Sequence, residues 1–254
     1  MTALPNETPL PHLEAFDAHG VRMTLTVPAE PDEAEAATEV IKRLALETAP
    51  RWERVPGTVG GTALRARLLD EAGLALDGLG FMHWALSADG DVLASGSPRP
   101  RRAPEDGADP FFGDPWRASI ADENGLAVAD VALAGTPGWH AALAVRRRGD
   151  GDRARTVAVL ADAARAADRL ANELVSARPG EIERLEASLA GDGAAALVLA
   201  AGQEPLVTEG WPLAGAAWLA SEAPASARLI PPFSSNPAPS VRDSTKCAGR
   251  ELEE

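Results

Sequence analysis

A chain of 254 residues with 45% hydrophobic content is long enough to bury a core and too apolar for wholesale disorder. Aromatic residues make up 4%, with no tyrosine, so the core rests on Ala, Val and Leu. A net charge of −14 argues against a nucleic-acid backbone or an anionic membrane surface as the main partner. The single cysteine, Cys247, excludes a disulfide framework within the chain and a Cys-based zinc site. Residues 1–12 lack a basic n-region and an apolar h-region, and no apolar run approaches a bilayer span. The expected location is the cytoplasm, without stable membrane insertion.

Residues 1–13 read as a flexible lead-in. Residues 21–27 alternate, with Val21, Met23, Leu25 and Val27 on one face, which predicts a half-buried strand. A helix is expected over 34–48. A glycine-rich turn at 56–61 leads into a helix over 62–71, with Gly73 as its stop. Free N–H groups at such a turn can receive a phosphate, although no Gly-Lys-Ser/Thr follows and a plain loop explains it as well. Residues 81–86 and 92–94 form a hairpin around Asp89-Gly90. A long exposed loop is expected over 97–115, then strands at 116–120, 126–133 and 141–145. Residues 146–153 read as a charged loop. Its Arg146-Arg147-Arg148, like Arg99-Pro100-Arg101-Arg102, is a basic cluster that meets a phosphate or simply covers a surface loop.

Residues 156–160 predict a buried strand, and Asp162 stands where a helix N-cap belongs. Ala163, Ala167, Leu170, Ala171 and Leu174 then make an apolar stripe at helical spacing. Asp168 and Asn172, four apart, lie one above the other beside it. Two oxygen-bearing side chains so placed suit a hard cation, while the plainer reading is a solvated acid and amide. A second helix over 180–189 and a hairpin of 194–200 with 206–208 follow. From residue 222 the chain is a Pro/Ser-rich mobile tail. The pattern as a whole is α+β, one domain over 14–221.

Taken in order, these segments resemble the ApbE family of FAD:protein FMN transferases. Phe16-Asp17-Ala18-His19-Gly20-Val21 is similar to that family's F-x-A-M-G-T entry. Gly60-Gly61 through Asp70 resembles its G-G-x-A-K-G-x-x-x-D segment, with Arg65 in place of lysine and Ala66 in place of glycine. Asp89-Gly90-Asp91 through Gly96 resembles its G-G-D-x-x-x-x-G hairpin. Gly135-Thr136-Pro137-Gly138 and His140 resemble a shortened T-S-G…H-I region. Ala167-Asp168 through Asn172 resembles its A-D-x-x-A-T helix, with Asn172 in place of threonine. The resemblance covers about two-thirds of the chain.

The resemblance implies an ApbE-like, T-fold-like architecture and Mg²⁺-dependent transfer of FMN from FAD to a threonine of a client flavoprotein, with release of AMP. Under it, Asp168, Asn172 and a backbone carbonyl near Ala63 hold Mg²⁺. Gly60, Gly61, Asp91, Gly96 and Thr136 bind FAD, and His140 and Arg65 act on the phosphates. Arg65 keeps the lysine's charge but not its compact ammonium geometry.

Two other classes stand beside it: a non-catalytic flavin-binding or regulatory protein on the same fold, and a GAF- or PAS-type sensor domain. Single residues also have plain readings. His140 and His83 are packed histidines, Asp91 is a turn acid, and Trp116 and Trp211 fill an aromatic-poor core. No Ser-His-Asp constellation, His-rich zinc spacing or Rossmann glycine fingerprint is present.

Overall fold

The structure, a computed structural model, describes residues 11–18, 20–52, 60–98, 115–121, 127–133, 139–149, 155–200 and 203–211. Most of the lead-in, nearly all of the loop expected over 97–115, Thr136 and the tail from 222 lie outside the described residues.

The chain opens with an antiparallel hairpin of β1 (His12–Ala18) and β2 (Val21–Val27). β2 follows the alternation: Val21, Met23, Leu25 and Val27 are all buried. β1 buries only Phe16 and Ala18, yet it pairs with β2 along its whole length. Backbone pairing rather than apolar pattern makes this strand, so the expected lead-in ends earlier than residue 13.

Helix α1 (Pro31–Trp52) and helix α2 (Gly60–Gly78) come next. α2 runs through Gly73, which is not a stop. A Cβ at Gly73 would lie 2.8 Å from Trp84 Cη2 and 2.9 Å from Leu93 Cδ2, so the glycine lets the helix settle against the sheet. Strands β3 (Trp84–Ala88) and β4 (Asp91–Ser95) are joined at Asp89 (φ 47°) and Gly90 (φ 94°). Positive φ at both central residues matches the twist of the flanking strands.

β5 (Trp116–Ala121) and β6 (Ala127–Leu133) form a separate two-stranded ribbon. β7 (His140–Arg148) and β8 (Arg155–Ala161) are followed by α3 (Ala164–Ser176), α4 (Pro179–Gly191), β9 (Ala195–Ala200) and β10 (Leu206–Val207). Arg146, Arg147 and Arg148 therefore belong to a strand and not to the charged loop their composition suggests.

Eight strands among the described residues form one antiparallel sheet, in the order β1-β2-β3-β4-β7-β8-β9-β10. Its two faces are filled by alternate residues of the same strands. Leu93, Ala142, Ala144, Val157, Val159 and Ala196 join the helical layer. Ala94, Leu143, Ala158, Ala195 and Leu197 pack with the β5–β6 residues Trp116, Ile120, Val131 and Leu133 on the other face. Period-two alternation with both faces covered explains why β7, β8 and β9 read as nearly continuous apolar runs. Trp116 and Trp211 are buried in the ribbon-side cluster, and the Trp116 indole N–H donates to the Ser95 carbonyl at 2.9 Å.

Asp162 does not cap α3. The N-cap is Ala163, which offers no side-chain acceptor. Asp70 of α2 takes over: its Oδ1 accepts the Ala164 N–H at 2.7 Å, and its Oδ2 accepts the Arg165 N–H at 3.2 Å and the Arg165 Nε–H at 2.8 Å. A buried acid on one helix thus satisfies free donors at the start of another and locks α2 to α3. At the far end of α3, Arg155 Nη1 donates to the Leu174 and Ala177 carbonyls.

Candidate functional site

The most connected polar cluster lies between the sheet and the helices. Asp91 opens β4 on the same face as Leu93. Arg146 lies on β7 on the same face as Ala142 and Ala144. Asp168 and Asn172 occupy successive turns of α3. Arg146 is 8% exposed, Asp91 3% and Asp168 6%. The Arg146 guanidinium forks onto Asp91, with Nη1 to Oδ1 at 2.6 Å and Nη2 to Oδ2 at 2.8 Å. It also donates to Asp168 Oδ1, from Nε at 3.1 Å and from Nη2. Asn172 Nδ2 donates to the same Oδ1 at 2.8 Å and to the Asp168 carbonyl at 2.9 Å. The Val145 N–H adds a bond to Asp91 Oδ1 at 3.2 Å. Burial alone would lower the Arg146 pKa, but its hydrogen bonds and charge contacts with Asp91 and Asp168 outweigh that and raise it.

Arg65, near the start of α2, reaches the same cluster. Its Nη1 donates to Asp89 at 3.1 Å, and its Nε lies 3.9 Å from Asp91 Oδ2. That Nε is buried without a hydrogen-bond partner. Gly60, Gly61 and Ala63 belong to the first turn of the same helix.

The other expected residues lie elsewhere. His140 begins β7, six residues before Arg146, about 20 Å away at strand rise. Its Nε2 is 2.8 Å from Asp77 Oδ2 at the opposite end of α2, and its ring meets Trp84 edge-on with centroids 5.1 Å apart. The Trp84 indole donates to Asp77 Oδ1 at 3.1 Å, so Asp77 ties the two rings together. Gly96, with φ 60°, belongs to this second end: a Cβ there would fall 2.2 Å from His83 Nδ1. His83 Nδ1 accepts the Ser97 N–H at 3.0 Å, and burial lowers the imidazole pKa. A cavity of about 550 Å³ also opens here, between α1 and residues 79–83, lined mainly by Val27, Ala37, Val40, Phe81 and Met82. None of the expected site residues lines it.

The expected set therefore separates. Arg65, Asp91, Asp168 and Asn172 converge, with Gly60, Gly61 and Ala63 on the helix turn that carries Arg65. His140 stands about 20 Å off along β7, Gly96 about 17 Å off along β4, and Thr136 is outside the described residues. Reading the residues alone missed Arg146 as a site residue because three consecutive arginines suggested solvent. The available signal was the strand period, which puts Ala142, Ala144 and Arg146 on one face. Asp70 sat within the glycine-then-helix motif, but nothing in its spacing pointed to a cap on a distant helix.

Three solved structures share this architecture. Flavin Transferase ApbE from Vibrio cholerae matches with a TM-score of 0.53 and 13% identity, over 79% of this chain and 98% of that one. A histidine-to-glycine mutant of that protein gives 0.52 and 12%, over 78% and 97%. The ApbE protein from Thermotoga maritima gives 0.51 and 14%, also over 78% and 97%. The fold is that of the ApbE flavin transferases. No family sequence model matches the chain, and no curated protein matches it by sequence. At this identity the likeness to ApbE is one of fold, and the site must be judged on its own residues.

On an ApbE-like reading Asp168, Asn172 and Ala63 would hold Mg²⁺, and these residues do not fit that ion. Three N–H donors already converge on Asp168 Oδ1, and one of their sources is a full positive charge. Asn172 presents N–H rather than oxygen to the carboxylate, a choice fixed by the two acceptors it faces. Ala63 sits within α2, where a carbonyl is used by the helical ladder. A dication requires hard oxygen donors and local negative charge, and the guanidinium already takes both oxygens of Asp91 and Oδ1 of Asp168 and offsets part of their charge. Among the described residues no group of three or more His, Cys, Asp or Glu is placed to hold a metal. Asp168 and Asn172 are also not the solvated pair of the plainer reading, since Asp168 is buried. No helix among the described residues is long and apolar enough to cross a membrane.

Proposed function

We propose that the protein is a non-catalytic, flavin-nucleotide-binding member of the ApbE-like fold, a binding or regulatory protein that does not perform Mg²⁺-dependent FMN transfer. The observation that carries this reading is the Arg146 guanidinium lodged between Asp91 and Asp168, which takes both oxygens of the one and Oδ1 of the other, while among the described residues no group of three or more His, Cys, Asp or Glu is placed to hold a metal. The fold supports a flavin nucleotide as ligand class, because the solved structures it matches are flavin transferases matched over nearly their whole length. Arg65 supports an anionic group beside the start of α2. Its buried Nε lacks a hydrogen-bond partner, with Asp91 Oδ2 at 3.9 Å, and the N–H groups of a helix N-terminus favour negative charge. The test is a titration of FAD, FMN and AMP followed by flavin fluorescence or heat, with EDTA and again with Mg²⁺. Saturable binding that is equal in the two conditions and weakened about tenfold in Arg65→Ala is expected, as for loss of one charged hydrogen bond. Absence of binding to all three nucleotides overturns the ligand class.

A further inference from the structure

The disposition of Arg146 has a more specific consequence than the loss of a metal site. Its Nη2 atom donates both to Asp91 Oδ2 and to Asp168 Oδ1. One nitrogen therefore stands between carboxylate oxygens supplied by β4 and by α3, which is the arrangement of a bridging cation. The two carboxylates are buried, and the positive charge between them offsets their mutual repulsion. Asn172 stands on the same side of α3, bonded to the same Asp168 oxygen.

We propose that Arg146 is the resident cation of this site: a covalently attached guanidinium that does structurally what a bound divalent ion would do, joining β4 and β7 to α3. That this cluster is where a divalent ion would sit rests on the ApbE-like reading, whereas its geometry rests on the chain's own residues. Removing the guanidinium leaves the facing carboxylates of Asp91 and Asp168 around a space of cation size, with Arg65 Nε 3.9 Å from Asp91 as the nearest remaining positive charge among the described residues. Hard cations with oxygen ligands at about 2.3–2.6 Å, Ca²⁺ above all, match the room left by a nitrogen whose bond to Asp91 is 2.8 Å long. Mg²⁺, which holds its ligands at about 2.0–2.1 Å in strict octahedra, fits less well. The native protein takes neither, because the guanidinium already occupies the space between the two carboxylates. Arginine suits the role better than lysine, since its planar fork serves Asp91 with two nitrogens while still reaching Asp168.

The experiment needs no flavin. Full-length protein stripped with EDTA is melted in the absence of added metal and with Ca²⁺, Mn²⁺ or Mg²⁺, and cation binding is measured by titration calorimetry. Wild type is expected to melt at one temperature in all four conditions and to give no specific heat. Arg146→Ala is expected to melt lower than wild type without metal, to recover part of the loss with Ca²⁺ and less with Mg²⁺, and to bind one cation. Adding Asp168→Asn to that variant should remove the recovery. If R146A does not fold without metal, the R146A/D91N variant, with one buried carboxylate fewer, is melted in its place. Its Ca²⁺ response, diminished but abolished by the further D168N change, carries the same conclusion. Two results overturn the proposal: Asp168-dependent binding of a divalent ion by wild type, or a folded R146A protein indifferent to every cation. Neither bears on whether FAD binds, so failure here is distinguishable from failure of the nucleotide-binding reading.

Discussion

At the scale of single residues, two positions at the His83 end of the sheet carry measurable consequences. Gly96 holds φ 60°, and a Cβ there would lie 2.2 Å from His83 Nδ1 and 2.5 Å from the Met82 carbonyl. One of these neighbours is backbone and cannot swing aside. Gly96→Ala should therefore cost about 2–4 kcal/mol, combining left-handed strain with overpacking, as read by urea denaturation. The same neighbourhood holds the His83 imidazole neutral, with its pKa lowered from the ordinary value by burial. The folded state binds fewer protons than the unfolded chain once the pH drops below about 6.5. Stability contributed by neutral His83 is thus present at pH 7 and is lost as the pH falls through that point toward the lowered folded value. Protonation also removes the acceptor that Ser97 N–H uses. His83→Gln, which keeps an acceptor without a titration, should lose less stability than wild type between pH 7 and pH 5, measured by paired denaturation curves. An identical loss in both proteins would remove His83 from the account.

At the scale of elements, the joint between α2 and α3 rests on Asp70, which serves two backbone N–H groups and one guanidinium N–H at the start of α3. Asp70→Ala should destabilise the protein by about 1–2 kcal/mol, the range for a lost helix cap, and Asp70→Asn by less. Equal stability of Asp70→Ala and wild type in denaturant would show the cap to be idle. The same joint marks how far the elements were legible. The α3 stripe was visible because its period is local: Ala167, Leu170, Ala171 and Leu174 are buried, while Ala163, its expected first member, is the N-cap and only partly buried. β2 was visible for the same reason, residue for residue. The cap was not, because Asp162 is adjacent in sequence while Asp70 is adjacent only in space. Gly73 misled in the same way. Glycine inside an amphipathic pattern reads as a stop until Trp84 and Leu93 are seen to demand the missing Cβ. β7 ended too early at Val145 because three arginines outweighed the alternation that continues through them, and that error concealed the central residue of the candidate site.

At the scale of the whole molecule, one long antiparallel sheet separates a helical layer from a two-stranded ribbon, and the polar cluster sits within the helical layer. The α+β class and the ApbE-like order of segments were legible, because hairpins and amphipathic helices leave local signatures. What the fold does with its cluster was not legible, because it depends on β4, β7 and α3 meeting. Arg146 is 55 residues from Asp91 and 22 from Asp168 in sequence. Once they meet, a buried guanidinium occupies carboxylate oxygens that the resemblance assigns to flavin and metal, and the proposed function rests on that. Arg146→Met should then unfold more readily by about 3–5 kcal/mol, since buried Asp168 loses its charged partner and Asp91 keeps only Arg65 at 3.9 Å, and a chemical denaturation curve reads this directly. The most direct measurement is to incubate the purified wild-type protein with FAD, once with Mg²⁺ and once with EDTA, and to separate the nucleotides by chromatography. Intact FAD in both incubations, with no AMP, is the predicted result. AMP and FMN formed only with Mg²⁺ would contradict it, showing that the cluster admits the metal despite Arg146.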